Sequence, residues 1–315
     1  MIVVLLFMGL RPLSYRFGDM VIYNIQFNNF KNGADLTLKK DVLFEYFTYF
    51  MSRVGDADLF FLTCCLLYVI PLYFFSKKVF QDYWGFAFFM LVISFSFWSY
   101  GTNGIRNGIA TSIFLFGISR NNKIFSIALV LLSLSVHKSL IIPSAAYFIV
   151  LFLNNPRLYF YFWLISIPLS LLLGSLFSSL FLSLGLVEED RVNVYLGEFD
   201  QAAEAVKLKV GFRWDFLLYS ASGVFVAWYF IFKKNFQDLL YNKIVSIYLI
   251  ANAFWIVVIR ANYSNRFAYL SWFLLGVVII YPYLKVQFFK NQNRIIAAIS
   301  LAYFAFTYLL EVVLI

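Results

Sequence analysis

The sequence contains a series of long apolar runs separated by short polar segments. An α-helix rises 1.5 Å per residue, so about 20 apolar residues are needed to cross ~30 Å of hydrocarbon. Seven runs are close to that length and carry few charges, which predicts membrane-spanning helices. These runs cover residues 57–75, 83–100, 158–186, 214–232, 243–259, 267–284 and 295–313.

The segment from residue 101 to residue 153 has a different pattern, because charged residues divide it into shorter apolar pieces. The interruptions are Arg106, the basic turn at 120–123 and the His137-Lys138 pair. Short or broken helices are tolerated at membrane depth where protein or a water-filled cavity covers their ends. We therefore predict short helices packed inside the bundle, at residues 104–119, 124–136 and 139–153.

Residues 2–10 are also apolar, but as a helix they would extend only about 14 Å, half of the hydrocarbon thickness. The run lacks a basic leader and a small-residue cleavage site, so it is not predicted to be a signal peptide. Counting it as a helix, the pattern predicts an all-α, polytopic transmembrane helix bundle of about 10–12 helices, some of them short or broken.

Composition leads to the same fold class. Hydrophobic residues make up 63% of the 315 residues, charged residues make up 13%, and the mean hydropathy is +0.81. A water-soluble fold could not hide that much apolar surface. Because the chain has no repeat and no long polar segment, residues 1–315 are predicted to form a single integral membrane domain. The adjacent Cys64 and Cys65 lie inside a predicted span and are expected to be packing residues.

The basic residues predict the orientation of the bundle. Strict alternation of the spans puts five short basic loops on one face, and the positive-inside rule makes that face cytoplasmic. Eleven of the 25 Lys and Arg residues lie in these loops, so the net charge of +9 is mainly a feature of topology. Nucleic acid is not an expected partner. The two sizeable outer loops are then residues 11–56 and 187–213.

Two polar residues at the outer ends of short helices are candidates for chemistry. Arg106 lies in GIRNGIA, at residues 104–110. A charge near membrane depth costs about 2.5–3.5 kcal/mol on insertion scales, so it usually faces a cavity and a partner; the alternative is a snorkelling anchor. His137 is the only histidine, and it is either a satisfied structural residue or part of a polar cavity. Since no second histidine or cysteine cluster offers metal ligands, we expect metal-independent chemistry without a cofactor.

These motifs together resemble the EpsG family of bacterial polysaccharide polymerases, which are related in role to the Wzy polymerases. R-x-x-I-A begins at Arg106, and a basic turn and an apolar helix follow it before H-K-S at residues 137–139. Three further segments are similar to the family's N-terminal and late motifs. They are GLR at 9–11, Gly18-Asp19 with Tyr23 and then Glu45, and NRFAYL at 265–270 with Arg266 and Tyr269.

The resemblance implies a membrane glycosyltransferase that joins oligosaccharide repeat units carried on undecaprenyl diphosphate, at the outer face of a bacterial inner (plasma) membrane. It implies His137, Asp19 and Arg106 as catalytic residues, with His137 or Asp19 as the base. Arginine pairs phosphate oxygens bidentately, so Arg106, Arg260 and Arg266 are expected to hold the diphosphate, with Arg11 and Arg191 as weaker candidates. The residues expected to line the sugar path are Tyr23, Glu45, Tyr195 and Tyr269.

Three other functions remain open at this point. A flippase or exporter of lipid-linked sugars would need outer arginines, but also polar residues deep in several spans. A membrane O-acyltransferase would use a buried histidine nearer the cytoplasmic side. A lipid-linked glycosyltransferase would add one sugar rather than a block. The expected partners are the undecaprenyl-diphosphate-linked oligosaccharide, membrane lipids and a chain-length regulator. The helix bundle is also expected to be related to GT-C-like glycosyltransferase membrane domains.

Overall fold

The computed structural model describes residues 1–38, 41–183, 211–261 and 264–309. These residues form helices and connecting turns, without a strand. In chain order the helices are α1 (Ile2–Gly9), α2 (Met20–Lys31), α3 (Val42–Val54), α4 (Ala57–Phe80), α5 (Trp84–Val92), α6 (Phe95–Thr102), α7 (Ile105–Ile118), α8 (Lys123–Val136), α9 (Ile141–Phe152), α10 (Pro156–Ser183), α11 (Trp214–Trp228), α12 (Leu239–Val257), α13 (Asn265–Lys285) and α14 (Gln292–Tyr308).

Five segments of the described chain are long and apolar enough to cross a membrane. Three shorter apolar helices, including α7 and α8, correspond to the pieces predicted between residues 101 and 153. The prediction of an all-α, polytopic transmembrane bundle is therefore confirmed, while its relation to GT-C-like domains stays a prediction. The five segments are Ala57–Val92, Pro156–Gly174, Trp214–Lys233, Leu239–Val257 and Asn265–Lys285.

One predicted span is not a single helix. Residues 83–100 were expected to form one span, but α5 ends at Val92 and α6 begins at Phe95. At the break, the Ser94 hydroxyl donates to the Leu91 carbonyl oxygen at 2.7 Å. Serine side chains compete with the helix for backbone groups in this way, which favours a break where the hydropathy remains high.

The chain divides into two compact units, and the first comprises Met1–Ser144 with Tyr283–Ile315. In this unit α4 and α7 pack side by side and run parallel: the Ser112 hydroxyl of α7 donates to the Leu67 carbonyl of α4 at 3.3 Å, and further along both helices the ring of Phe116 lies 6.5 Å from that of Phe74. Gly108 permits a close approach to α6, since a Cβ there would lie 2.9 Å from the Tyr100 carbonyl oxygen. α8 packs against α7, and α3 packs against α8.

The second unit comprises Ala145–Pro282, where α10 packs along α12. Its core contains the buried side chain of Asn252, which joins three helices. The Asn252 amide donates to the hydroxyls of Ser220 and Ser271 at 3.0 and 2.9 Å, and its carbonyl oxygen accepts from the Trp163 indole at 2.8 Å. Such polar contacts hold apolar helices together in a membrane. The expectation of a single domain is not tested by the division into units and stays a prediction.

Candidate active site

A buried carboxylate joins three segments of the first unit. Asp41 is 6% exposed, and its Oδ2 lies 2.6 Å from Nη1 of Arg106 and 2.8 Å from Nδ1 of His137. Its Oδ1 accepts a hydrogen bond of 3.0 Å from the Lys138 backbone N–H. We call Asp41, Arg106 and His137 the carboxylate cluster. It brings together the two residues that the sequence singled out, and adds a third that the sequence analysis did not select.

Each member of the cluster lies at the end of a helix. Arg106 is in the first turn of α7, which begins after Asn103 and Gly104 end α6. His137 is the C-terminal cap of α8, with extended backbone angles that turn the chain towards α9. Asp41 precedes α3 and has a φ of +47°, a left-handed conformation that aspartate tolerates better than most residues. The packing of α8 on α7 and of α3 on α8 therefore brings three helix ends to one place.

The surroundings of Asp41 keep its carboxylate ionised. Burial would by itself raise the pKa of Asp41, but the hydrogen bond with His137 and the charge of Arg106 outweigh it, and the pKa is lowered from its ordinary value. An ionised carboxylate only accepts hydrogen bonds, so Nδ1 of His137 must carry the proton it shares with Asp41. In neutral His137 the basic nitrogen is then Nε2, for which the described residues provide no hydrogen-bond partner.

Tyr23 of α2 packs beside Arg106, next to the carboxylate cluster. Its hydroxyl accepts a hydrogen bond from Nε of Arg106 at 3.3 Å, and the guanidinium carbon lies 5.6 Å from the ring centroid. The pKa of Tyr23 is raised because the side chain is buried. The hydroxyl therefore stays protonated, and its expected contact with sugar stays a prediction. Arg106 itself is 29% exposed, so part of the guanidinium reaches the surface of the cluster.

A second hydrogen bond connects the same two segments next to the carboxylate cluster. The Ser139 hydroxyl donates to Oδ1 of Asn107 at 2.6 Å. Asn107 follows Arg106, and Ser139 lies two residues after His137. The start of α7 and the turn at Lys138–Leu140 are thus fixed to each other through both side chains and through Asp41.

Glu45, predicted to contact sugar, binds the loop that leads to Asp41. Its Oε1 accepts from the backbone N–H and the hydroxyl of Thr37 at 2.5 and 2.9 Å, and its Oε2 accepts from the Leu38 N–H at 3.1 Å. Glu45 is 4% exposed. These contacts give Glu45 a positioning role in the approach to α3, and a direct contact with substrate stays a prediction.

Gly18 and Asp19 contact the turn that precedes Arg106. The backbone N–H of Asp19 donates to Oδ1 of Asn103 at 2.9 Å. Gly18 has a φ of +60°, and a Cβ there would lie 2.3 Å from the same oxygen, so only glycine fits this contact. The Asp19 side chain is half-buried, and its role as a base stays a prediction.

Arg11 is buried below the same turn. Its guanidinium donates to the carbonyl oxygens of Met8, at the end of α1, and of Thr102, at the end of α6. The rings of Phe17 and Phe61 each lie 5.6 Å from its Cζ. A cation at two helix C-termini is stabilised by both helix dipoles. Arg11 therefore supports the end of α6, and its expected contact with diphosphate stays a prediction.

The remaining candidates belong to the second unit or lie outside the described residues. Arg260 is exposed and donates to the Leu171 carbonyl oxygen at 3.3 Å. Arg266 is exposed at the start of α13, and the ring of Tyr269 packs 5.5 Å from that of Trp272. That Arg260 and Arg266 bind the same diphosphate as Arg106 stays a prediction. The two candidates outside the described residues are Arg191 and Tyr195.

The chemistry of the carboxylate cluster is that of an oriented base beside a cation. A carboxylate that fixes the tautomer and direction of a histidine, as Asp41 does here, makes its other ring nitrogen available for proton transfer.

Asp56 and Asp58 form a D-x-D pair, but Asp56 caps α4 by accepting from the Leu59 N–H at 2.9 Å. Among the described residues no group of three His, Cys, Asp or Glu is placed to hold a metal ion. Metal-independent chemistry stays a prediction.

Comparison with known families agrees with the motifs in the sequence. Residues 1–315, the whole chain, match the EpsG family. No curated protein and no solved structure shows significant similarity to the chain. EpsG is a family of Wzy-like polysaccharide polymerases, so the resemblance carried by GIRNGIA and H-K-S is confirmed. The chain belongs to the EpsG family.

Proposed function

We propose that this protein joins oligosaccharide repeat units carried on undecaprenyl diphosphate into a polysaccharide, at the outer face of a bacterial inner membrane. The observation that carries the proposal is the pairing of His137 with buried Asp41 beside Arg106. Family membership supports polymerase chemistry, and the cluster supplies the two groups that such a transfer needs.

His137 is the base in this proposal. Its Nε2 takes the proton of the acceptor sugar hydroxyl as the hydroxyl oxygen bonds to the anomeric carbon of the donor unit. Asp41 holds the imidazole by Nδ1 and stabilises the imidazolium that forms. General-base catalysis of this kind contributes about 10²–10⁴-fold to the rate.

Arg106 is the cation for the leaving group. The bond from the anomeric carbon to the diphosphate oxygen breaks, and its electron pair leaves with undecaprenyl diphosphate. A fixed guanidinium neutralises the charge that develops on the phosphate oxygen, without cost of reorganisation. Asp41 and Tyr23 hold Arg106 at Nη1 and Nε. Arg260 and Arg266 are proposed to assist at the diphosphate, and a chain-length regulator is a proposed partner.

The test is the glycan made by cells that carry His137→Gln or Arg106→Ala in place of the wild-type chain. Matched controls are Ser135→Ala, an exposed residue of α8, and Arg16→Ala, an exposed arginine of the outer segment. Each variant is first shown to be present in the membrane at wild-type amount.

The expected result is loss of the polymer ladder on a gel, with single repeat units still present at the surface, while both controls keep the ladder. Loss of single units as well as polymer would favour an exporter. An unchanged ladder in both His137→Gln and Arg106→Ala would overturn the assignment of the carboxylate cluster as the active site.

A further inference from the structure

A second group of cations lies at the C-terminal ends of α4 and α7, whereas the carboxylate cluster lies at the N-terminal end of α7. Because the two helices run parallel, their C-terminal ends meet. There Lys77 and Lys78, in the last turn of α4, and Arg120, just after α7, line one open cavity of about 400 Å³. Phe74 and Phe116 form its apolar walls. We call this site the basic cavity.

The basic cavity is separate from the proposed active site. Arg120 follows Arg106 by 14 positions, which corresponds to roughly 21 Å along a helix axis. Both residues belong to the first unit, as does all of α4. A ligand in the basic cavity would therefore bind without touching the carboxylate cluster.

The basic cavity has more positive charge than its surroundings neutralise. In the part of the chain that the structure describes, Lys77, Lys78 and Arg120 form no ion pair with a carboxylate. A helix C-terminus carries a dipole equivalent to about half a negative charge, so two ends supply about one against three cations. No carboxylate among the described residues lines the cavity, so the three cations that line it favour an anionic ligand.

Arg120 is held in place for such a ligand. Its guanidinium carbon lies 4.0 Å from the Phe116 ring centroid, and its Nε donates to the Phe116 carbonyl oxygen at 3.1 Å. Nη2 donates to the Ser119 hydroxyl at 2.9 Å. An arginine fixed by stacking and hydrogen bonds loses little further freedom when it binds phosphate. Lys77 and Lys78 are exposed and can adjust to the ligand.

The walls of the cavity favour a ligand that also has an apolar part. Phe74 is 50% exposed, and its ring centroid lies 6.5 Å from that of Phe116. Both rings lie one turn before the cations, on the side towards the middle of α4, which is long and apolar enough to cross a membrane. Apolar side chains directly below cations match the order of acyl chain and phosphate in a lipid leaflet.

We propose that the basic cavity binds an anionic phospholipid, with the phosphate among Lys77, Lys78 and Arg120 and an acyl chain along Phe74. Inorganic phosphate would satisfy the cations but would leave the aromatic walls without a ligand contact. Each basic residue near an anionic lipid surface strengthens binding about fivefold. Removing all three charges therefore weakens binding about 100-fold.

The experiment measures thermal unfolding of the purified full-length protein in mixed micelles. Dioleoylphosphatidylglycerol is added in one arm, dioleoylphosphatidylcholine in the second, and inorganic phosphate with glycerol 3-phosphate at equal ionic strength in the third. The variant is Lys77→Gln/Lys78→Gln/Arg120→Gln. The control is Lys123→Gln/Lys233→Gln/Lys234→Gln, which removes the same charge from loops on the same predicted face. The single variant Lys78→Gln serves where the triple variant is not produced.

We expect phosphatidylglycerol to raise the unfolding temperature of the wild type and the control, with about 100 times more lipid needed for the triple variant and about five times more for Lys78→Gln. Phosphatidylcholine and free phosphate should give no such shift. Equal loss of the shift in the variant and the control would show diffuse surface attraction and overturn the proposal. A full shift from inorganic phosphate would also overturn it, because the ligand would then be free phosphate. The readout is binding, so it does not depend on the proposed polymerase activity.

Discussion

Replacing Asp41 by asparagine is the sharpest test of the carboxylate cluster. The change keeps the size of the side chain and removes only its charge and one acceptor. Both carboxylate oxygens now accept, Oδ2 from Arg106 and His137 and Oδ1 from the Lys138 N–H, so the asparagine NH₂ group must face a donor in either orientation. Facing His137, it would force the imidazole proton onto Nε2, which could then no longer accept one; facing Lys138, it would leave the imidazolium without a counter-charge. Arg106 would lose its ion pair at the same time.

The expected cost is larger for activity than for stability. Removing one partner of a fully buried ion pair costs about 3–5 kcal/mol. Arg106 and His137 are 29% and 18% exposed, so water can solvate them in part, and we expect a loss of about 1–3 kcal/mol in unfolding free energy. Loss of either the correct tautomer or the counter-charge of His137 removes most of a factor of about 10²–10⁴ in rate.

The assay is the rate at which membranes carrying the variant extend labelled lipid-linked repeat units, together with thermal unfolding of the purified protein. Asp35→Asn is the matched control, since Asp35 is an exposed carboxylate in the same segment. We expect Asp41→Asn to extend chains at least 100-fold more slowly than Asp35→Asn at a temperature where both are folded. Wild-type extension by folded Asp41→Asn would refute the role of His137 as an oriented base.

Three further predictions concern the same structure. The pKa of Asp41 is lowered in the folded state, so the stabilisation by this carboxylate is full above its unfolded pKa of about 3.9 and is lost as the pH falls through the lower folded value. The difference in unfolding temperature between wild type and Asp41→Asn should therefore begin to shrink as the pH falls below about 4 and go on shrinking at lower pH. Gly108→Ala would place a Cβ 2.9 Å from a backbone oxygen and should cost about 1–3 kcal/mol in thermal unfolding, whereas Gly85→Ala, with open space around it, should cost little. Asn252→Ala would remove three buried hydrogen bonds and should cost about 2 kcal/mol, and Ser246→Ala, whose buried hydroxyl lacks a partner in the described structure, should cost nothing.

The membrane-spanning helices could be predicted because their formation depends on few properties of the sequence. A run such as 243–259 needs only length and apolarity to span, and α12 covers Leu239–Val257. The break between α5 and α6 could not be predicted, because no charge, proline or glycine marks residues 93–94. It depends on a local hydrogen bond of Ser94, which hydropathy does not detect.

Of the candidate site, only Arg106 and His137 were predictable from the sequence. Arg106 and His137 interrupt apolar runs, and an ionisable group near membrane depth needs a partner. That rule requires an acid near these two residues but does not choose among several, which include Asp19, Asp35 and Asp41. The choice is made by tertiary packing, since Asp41 reaches Arg106 across 65 positions and His137 across 96. Sequence spacing contains no information on contacts of that range.

Asp41 also decides how charge changes in the cluster during the proposed transfer. With His137 neutral, ionised Asp41 balances Arg106, and the cluster has no net charge. When Nε2 takes the acceptor proton, the cluster gains one positive charge, in the same step in which the diphosphate leaves with an additional negative charge. The attraction between them is therefore strongest in the transition state and weaker in the ground state, which is the condition for an electrostatic interaction to accelerate a reaction. An arginine without Asp41 would bind the diphosphate tightly before the reaction as well, and would gain less from the proton transfer.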